Sequence, residues 1–85
     1  MFQIMARQVI IYTTPTCPYC MMAKQLLKQL GVKYIEKDVL ADKQAAIEMY
    51  TKSGQLGTPV LDIDGTIIVG FRPDLILKAL GVEEE

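Results

Sequence analysis

The chain has 85 residues, which is enough for one domain with a modest hydrophobic core. Hydrophobic residues make up 51% and charged residues 22% of the chain, a composition that excludes a disordered protein, and no apolar run is long enough to span a bilayer. A formal net charge of -1 gives no electrostatic case for nucleic-acid binding. We expect one domain over residues 1–85, with residues 1–6 as an N-terminal extension.

The first half of the chain predicts alternating strands and helices. Residues 8–13 (QVIIYT) are a β-branched and aromatic run typical of a buried strand. From Pro18 to the residue before Gly31, apolar side chains recur every three or four positions, which predicts an amphipathic helix. Residues 33–39 alternate like a second strand, and a second helix is predicted over residues 43–52.

The second half predicts a hairpin followed by a last helix. Residues 60–63 and 66–69 are apolar runs joined by Asp64 and Gly65, a strong signal for a two-residue hairpin turn. The last helix begins at Pro73. The order is therefore β-α-β-α-β-β-α, and its opening βαβ unit predicts two parallel strands joined by a right-handed crossover. We expect an α/β fold in which a four-stranded mixed sheet carries helices on both faces.

Cys17 and Cys20 are the only cysteines of the chain, separated by Pro18 and Tyr19. Cys17 directly precedes the predicted helix, where unpaired backbone N–H groups and the positive end of the helix dipole favour a thiolate over a thiol. Helix N-termini and Cys-X-X-Cys motifs lower a thiol pKa from about 8.5 to roughly 3.5–7.5. Cys20 lies one turn further on and is expected to be less exposed. This interpretation makes Cys17 the nucleophile that attacks a disulfide and Cys20 the thiol that resolves the mixed disulfide.

Three other interpretations of the cysteine pair remain. Tetrahedral zinc needs four ligands, and the chain has no His and no third Cys, so we assign no metal ligands. Two chains that pool their cysteines, or share glutathione, give the alternative function of a metal or iron–sulfur module. A structural disulfide would close too short a loop to stabilise the fold much. Ordinary buried thiols are disfavoured because the flanking Pro and Thr residues favour a surface turn. Since small secreted domains usually carry several disulfides, we expect a cytoplasmic protein.

Thr58 and Pro59 stand at the start of the third predicted strand. Proline donates no backbone hydrogen bond, so it must open the strand or occupy a special turn. A cis bond before Pro59 would expose the backbone of Thr58 to an incoming peptide, which would pair with it as an added strand. An ordinary trans proline at the start of the strand is the alternative.

From about residue 8 to residue 80, the chain resembles the glutaredoxin branch of the thioredoxin superfamily. The similar motifs are CPYC after a strand, Thr58–Pro59 and Gly70, in this order along the chain. The resemblance implies a thioredoxin fold with sheet order 2-1-3-4 and a cis Pro59. It also implies reversible thiol–disulfide exchange through Cys17 and Cys20, with glutathione as a possible co-substrate and no covalently bound cofactor.

The resemblance further implies a groove beside the two cysteines that binds glutathione or another substrate. The backbone of Thr58 would pair with the glutathione cysteine, Tyr19 would line the groove, and Asp74 would hold the glutathione amine. The candidate binding residues are Thr14, Pro18, Tyr19, Thr58, Pro59, Gly70, Phe71 and Asp74.

Two departures from the family pattern concern the electron donor. Thr14 stands where many glutaredoxins carry the Lys or Arg that faces a glutathione carboxylate. Phe71 and Pro73 replace a glycine and an acidic residue of the frequent Gly-Gly-x-Asp-Asp segment. The segment GFRP instead resembles small redoxins that reduce ribonucleotide reductase and take electrons from thioredoxin reductase. We expect a monomer that acts on disulfide-bearing proteins, with either glutathione or thioredoxin reductase as donor and with no nucleic-acid or membrane partner.

Overall fold

A computed structural model describes residues 2–84, so Met1 and Glu85, the two ends of the expected domain, lie outside the described residues. The predicted elements are present as β2 Val9–Thr13, α1 Pro18–Gln29, β3 Ile35–Asp38, α2 Lys43–Ser53, β4 Val60–Ile63, β5 Thr66–Val69 and α3 Pro73–Leu80. Two further short strands are β1 Phe2–Gln3 and β6 Glu83–Glu84. The thioredoxin fold implied by the resemblance is thereby confirmed.

The main sheet has the strand order β3-β2-β4-β5. β2 pairs with β3 in parallel, and the other two pairings are antiparallel. Counting only the four strands predicted from the sequence, this is the order 2-1-3-4. In the β2–β4 ladder Tyr12 pairs with Val60, and Val9 pairs with Ile63. Because the chain leaves β2 toward Cys17 and enters β4 from Pro59, both segments meet at the same end of the sheet.

Side chains on β2 alternate between two cores, as the two-residue period of a strand requires. Ile10 and Tyr12 face α2, and a small buried cluster is completed there by Ala45 and Met49 of α2 and by Val60 of β4. The opposite face packs against α1 and α3. Its larger cluster comprises Val9, Ile11, Ala23, Leu27, Leu61, Ile63, Ile68, Ile76 and Leu80. The sheet is therefore covered on both faces, as predicted.

Short polar motifs define the ends of the elements. The Asp42 carboxylate caps α2 by accepting the N–H groups of Gln44 at 3.0 Å and Ala45 at 3.2 Å. Asp64 and Gly65 have positive φ angles of 51° and 92°, as the two central residues of a tight hairpin turn require. None of the helices within residues 2–84 has the length and apolar character needed to cross a membrane.

The described part of the expected N-terminal extension is integrated into the fold. The β1 and β6 strands pair antiparallel, and the N–H groups of Met5 and Ala6 donate to the Leu80 carbonyl at 2.9 and 3.1 Å. Ile4 and Ala6 also pack against the larger core cluster. The sequence did not predict this pairing, because a strand of two residues is too short to show a periodic pattern.

Candidate active site

Cys17 is the N-cap residue of α1, as predicted. Its backbone is extended, with φ −104° and ψ 105°, and its Sγ accepts the N–H of Cys20 at 3.1 Å. Its carbonyl accepts the N–H of Met21 at 3.2 Å, and Pro18 is the first helical residue. The sulfur of Cys17 therefore lies at the positive end of the helix dipole, where it accepts an N–H group that has no partner within the helix.

The two cysteines differ in their access to solvent. Cys20 is only 2% exposed, whereas Cys17 is half-buried. They form a disulfide, with Cα atoms 5.2 Å apart. That separation lies within the usual range for a disulfide. An incoming disulfide would reach Cys17 first.

The Thr58–Pro59 peptide bond is cis, as the resemblance implied. Its loop faces the cysteines, because the Cys17 Sγ lies 3.7 Å from the Thr58 carbonyl oxygen. The Pro59 carbonyl accepts the N–H of Gly70 at 2.8 Å, and Gly70 has a positive φ of 88°. The hydroxyl oxygens of Thr14 and Thr58 lie 3.5 Å apart. The Thr58–Pro59 loop therefore joins the Cys17 segment to Gly70, two parts of the chain that are far apart in sequence.

An uncharged groove of about 340 Å³ runs between α1 and the segment that follows β5. Its lining residues are Met22, Gln25, Leu26, Gln29, Phe71 and Pro73. Phe71 is partly buried and packs against the larger core cluster, so it serves both the core and the groove. The groove adjoins the site because Gly70, which bonds Pro59, directly precedes Phe71.

The remaining predicted binding residues lie at helix starts. Pro18 and Tyr19 are exposed at the start of α1, and Asp74 is exposed in the first turn of α3. No hydrogen bond or ion pair among residues 2–84 joins Asp74 to the cysteine segment. Within the same residues, no three side chains of His, Cys, Asp or Glu are arranged to hold a metal ion. The binding role of Asp74 stays a prediction.

A charged network joins α1 to the strands behind the site. The Glu36 carboxylate accepts hydrogen bonds from Lys24 Nζ and from the Thr13 hydroxyl, each at 2.9 Å. The bond from Lys24, and then that from Thr13, hold the pKa of Glu36 below its usual value although partial burial opposes this shift. The network connects the helix that begins at the cysteines to the end of β2.

Gln55 is a residue that the sequence prediction missed. It lies in the loop between α2 and Thr58, and its side-chain amide bonds both the N–H and the carbonyl of Gly57. The only hint in the sequence is a glutamine between Gly54 and Gly57. That pattern indicates a loop but does not show which backbone groups the side chain will meet.

A Cys-X-X-Cys pair at a helix N-terminus, facing a cis proline on a thioredoxin fold, defines a thiol–disulfide oxidoreductase. A family model described as Glutaredoxin matches residues 9–68, which is more than half of the chain. The chain therefore belongs to the glutaredoxin family.

Individual relatives agree with this assignment. A glutaredoxin-like 8.6 kDa protein in a rubredoxin operon of Clostridium pasteurianum is 46% identical over 70 residues, 82% of this chain and 93% of that protein. Glutaredoxin 3 of Escherichia coli K12 is 40% identical over 73 residues, 86% of this chain and 88% of that one. The solved NrdH-redoxin of Escherichia coli superposes with a TM-score of 0.77 at 25% identity, covering 85% of this chain and 93% of that one.

Proposed function

We propose that the protein reduces disulfide bonds in polypeptide substrates and is itself reduced by thioredoxin reductase in preference to glutathione. The hydrogen bond from the Cys20 N–H to the Cys17 sulfur carries the assignment of the nucleophile. The same N–H and the helix dipole stabilise a Cys17 thiolate, and the buried position of Cys20 suits a resolving thiol.

The proposed reaction has two exchange steps. The Cys17 thiolate attacks one sulfur of the substrate disulfide, forming a mixed disulfide and releasing the other sulfur as a thiolate that takes up a proton. Cys20 then loses its proton and attacks the Cys17 sulfur, which releases the second substrate thiol. Two electrons pass to the substrate, and the protein is left with the Cys17–Cys20 disulfide.

Thr14 and the groove lined by Phe71 and Pro73 support thioredoxin reductase as the donor, because neither carries a charged side chain. Thr14 directs its hydroxyl toward that of Thr58 and offers no cation for a glutathione carboxylate. Phe71 and Pro73 line an uncharged groove, where many glutaredoxins carry a glycine and an acidic residue. The solved NrdH-redoxin is described as a glutaredoxin-like protein with a thioredoxin-like activity profile, which supports the same electron donor for this chain. The relatives named glutaredoxin, among them glutaredoxin 3 of Escherichia coli, are the comparisons that support glutathione as the donor instead.

We also infer a cytoplasmic location and a monomeric state. The location rests on the single closely spaced cysteine pair, which is unlike the disulfide frameworks of small secreted domains. A metal or iron–sulfur module built from two chains is the alternative function. An absorbance spectrum and metal analysis of anaerobically purified protein test it, and bound iron would favour it.

A two-donor assay tests the proposal directly. Insulin serves as the disulfide substrate, with NADPH and thioredoxin reductase in one arm and NADPH, glutathione and glutathione reductase in the other. We expect NADPH oxidation to be several-fold faster in the first arm, because Thr14 offers no cation for a glutathione carboxylate. The Cys17→Ser variant provides the blank for both arms. A faster glutathione arm would reverse the donor assignment, and no activity in either arm would contradict the proposed function.

A further inference from the structure

We infer that Gln55 is a positioning residue for disulfide exchange, because its side chain holds the backbone that leads into Thr58. The Gln55 Nε2 donates to the Gly57 carbonyl at 3.1 Å, and its Oε1 accepts the Gly57 N–H at 2.6 Å. One side-chain amide thus satisfies both backbone polar groups of the residue that precedes Thr58. We call the Gln55–Gly57 pair the loop clamp.

The loop clamp is anchored to the last turn of α2. The Ser53 hydroxyl donates to the Met49 carbonyl at 2.6 Å and accepts a hydrogen bond from Gln55 Nε2 at 3.2 Å. Met49 is fully buried in the smaller core cluster. A continuous series of hydrogen bonds therefore runs from a buried helical residue through Ser53 and Gln55 to Gly57.

Gly57 leaves room for the Gln55 amide. A Cβ at this position would lie 2.8 Å from Gln55 Oε1, closer than real Cβ contacts allow. The φ angle of Gly57 is outside the left-handed region, so the backbone itself would accept an alanine. An alanine at residue 57 would therefore act mainly by displacing the Gln55 side chain.

The position of Thr58 gives the loop clamp a role in the reaction. The Thr58 carbonyl lies 3.7 Å from the Cys17 sulfur. The inference rests on the proposed function, in which the substrate backbone pairs with Thr58 while its disulfide meets Cys17. Holding Gly57 fixes the direction of the Thr58 backbone before substrate arrives. The loop therefore loses less conformational entropy when the substrate binds.

Single-turnover reactions of pre-reduced protein test this role without any electron donor. One substrate is a disulfide-linked peptide with backbone amides, and the other is bis(2-hydroxyethyl) disulfide, which has none. For Gln55→Ala we expect the half-saturating peptide concentration to rise roughly three- to tenfold, which corresponds to the loss of one or two hydrogen bonds. The maximum rate should be retained. The rate with bis(2-hydroxyethyl) disulfide should be unchanged.

A double-mutant cycle separates the loop clamp from general loosening of the fold. Gly57→Ala should weaken peptide binding as Gln55→Ala does, and the two changes together should cost no more than either alone. Gln44→Ala, an exposed glutamine near the start of α2, is the matched control, and thermal midpoints of all variants are recorded.

Equal losses on both substrates, no change on the peptide, or additive effects of the two variants would each overturn the positioning role. If the wild-type protein reduces neither disulfide, the proposed function fails and the inference falls with it.

Discussion

Two features of the Cys17 environment suit a nucleophilic sulfur. The Cys20 N–H donates to it, and the positive end of α1 lies beside it, while the Thr58 carbonyl faces it from the opposite loop. Cys20 is buried and forms part of the helix itself. The asymmetry between the two sulfurs therefore follows from their positions in one helical turn, with Cys17 on the N-cap and Cys20 buried inside the helix.

Serine variants of the two cysteines should behave differently. We expect Cys20→Ser to accumulate a mixed disulfide at Cys17, because the resolving thiol is missing. Cys17→Ser should neither form the adduct nor turn over, since the buried sulfur of Cys20 is inaccessible to substrate. Mass spectrometry of acid-quenched reactions measures the adduct. A stable adduct on Cys20 in the Cys17→Ser protein would contradict the proposed roles.

At the scale of elements, hydrogen bonds and ion pairs around a buried tyrosine connect α2 to the sheet. The Tyr12 hydroxyl donates to Glu48 at 3.0 Å and accepts from Lys52 at 2.8 Å. Lys37 bonds Glu48 at 2.7 Å, and Lys52 bonds Asp62 at 2.8 Å. The hydrogen bond from Lys37, and then that from Tyr12, lower the pKa of Glu48. Burial opposes protonation of Lys52, but its bonds to Asp62 and Tyr12 raise its pKa.

Removing the central hydroxyl should loosen this attachment. We expect Tyr12→Phe to lower the free energy of unfolding by about 1 kcal/mol. Glu48 and Lys52 each lose a buried hydrogen-bond partner, but each keeps the oppositely charged residue to which it is bonded. Urea unfolding measures the change. Tyr50→Phe, at a tyrosine of α2 that is 55% exposed, is the matched control. An equal effect of both variants would show that the network contributes no stability of its own.

At the scale of the whole molecule, the N-terminal segment closes the end of the sheet that is farthest from Cys17. The carboxylate of Asp64, in the hairpin turn, accepts the N–H groups of Arg7 at 2.9 Å and Gln8 at 2.8 Å. The N–H of Asp64 donates in return to the Gln8 carbonyl at 3.0 Å. The hydrogen bond from Arg7, and then that from Gln8, lower the pKa of Asp64.

The hydrogen bonds to the Asp64 carboxylate should make the stability of the protein depend on pH. An aspartate whose pKa is lowered by folding stabilises the protein above its ordinary pKa of about 3.9, and the contribution is lost as the pH falls through the lower folded value. We expect Asp64→Asn to reduce the thermal midpoint at pH 7 and to match the wild type at the acid end of the range. Disulfide reduction should be retained, since the turn is remote from Cys17. A difference in midpoint that stays constant down to pH 2 would contradict this account.

The local elements could be predicted because each has a signal within a few residues. Asp64 and Gly65 were confirmed as a hairpin turn, and the α1 helix begins at Pro18 as its pattern predicted. The strand predicted over residues 33–39 was less accurate, because the observed strand is Ile35–Asp38. The alternating pattern does not show where pairing with β2 begins and ends, and that pairing runs only from Ile35 to Asp38.

The sequence alone determined the reactive pair, because a Cys-Pro-Tyr-Cys segment at a helix start places one sulfur on the N-cap whatever surrounds it. Only the tertiary structure decided what faces that sulfur. The Thr58 carbonyl is 41 residues away along the chain, and the Asp64 carboxylate is 57 residues from Arg7. Contacts of this kind depend on strand register and loop conformation, which the packing of the whole chain selects. The same reason explains why the Gln55 side chain, unremarkable in the sequence, holds the backbone beside the reacting cysteine.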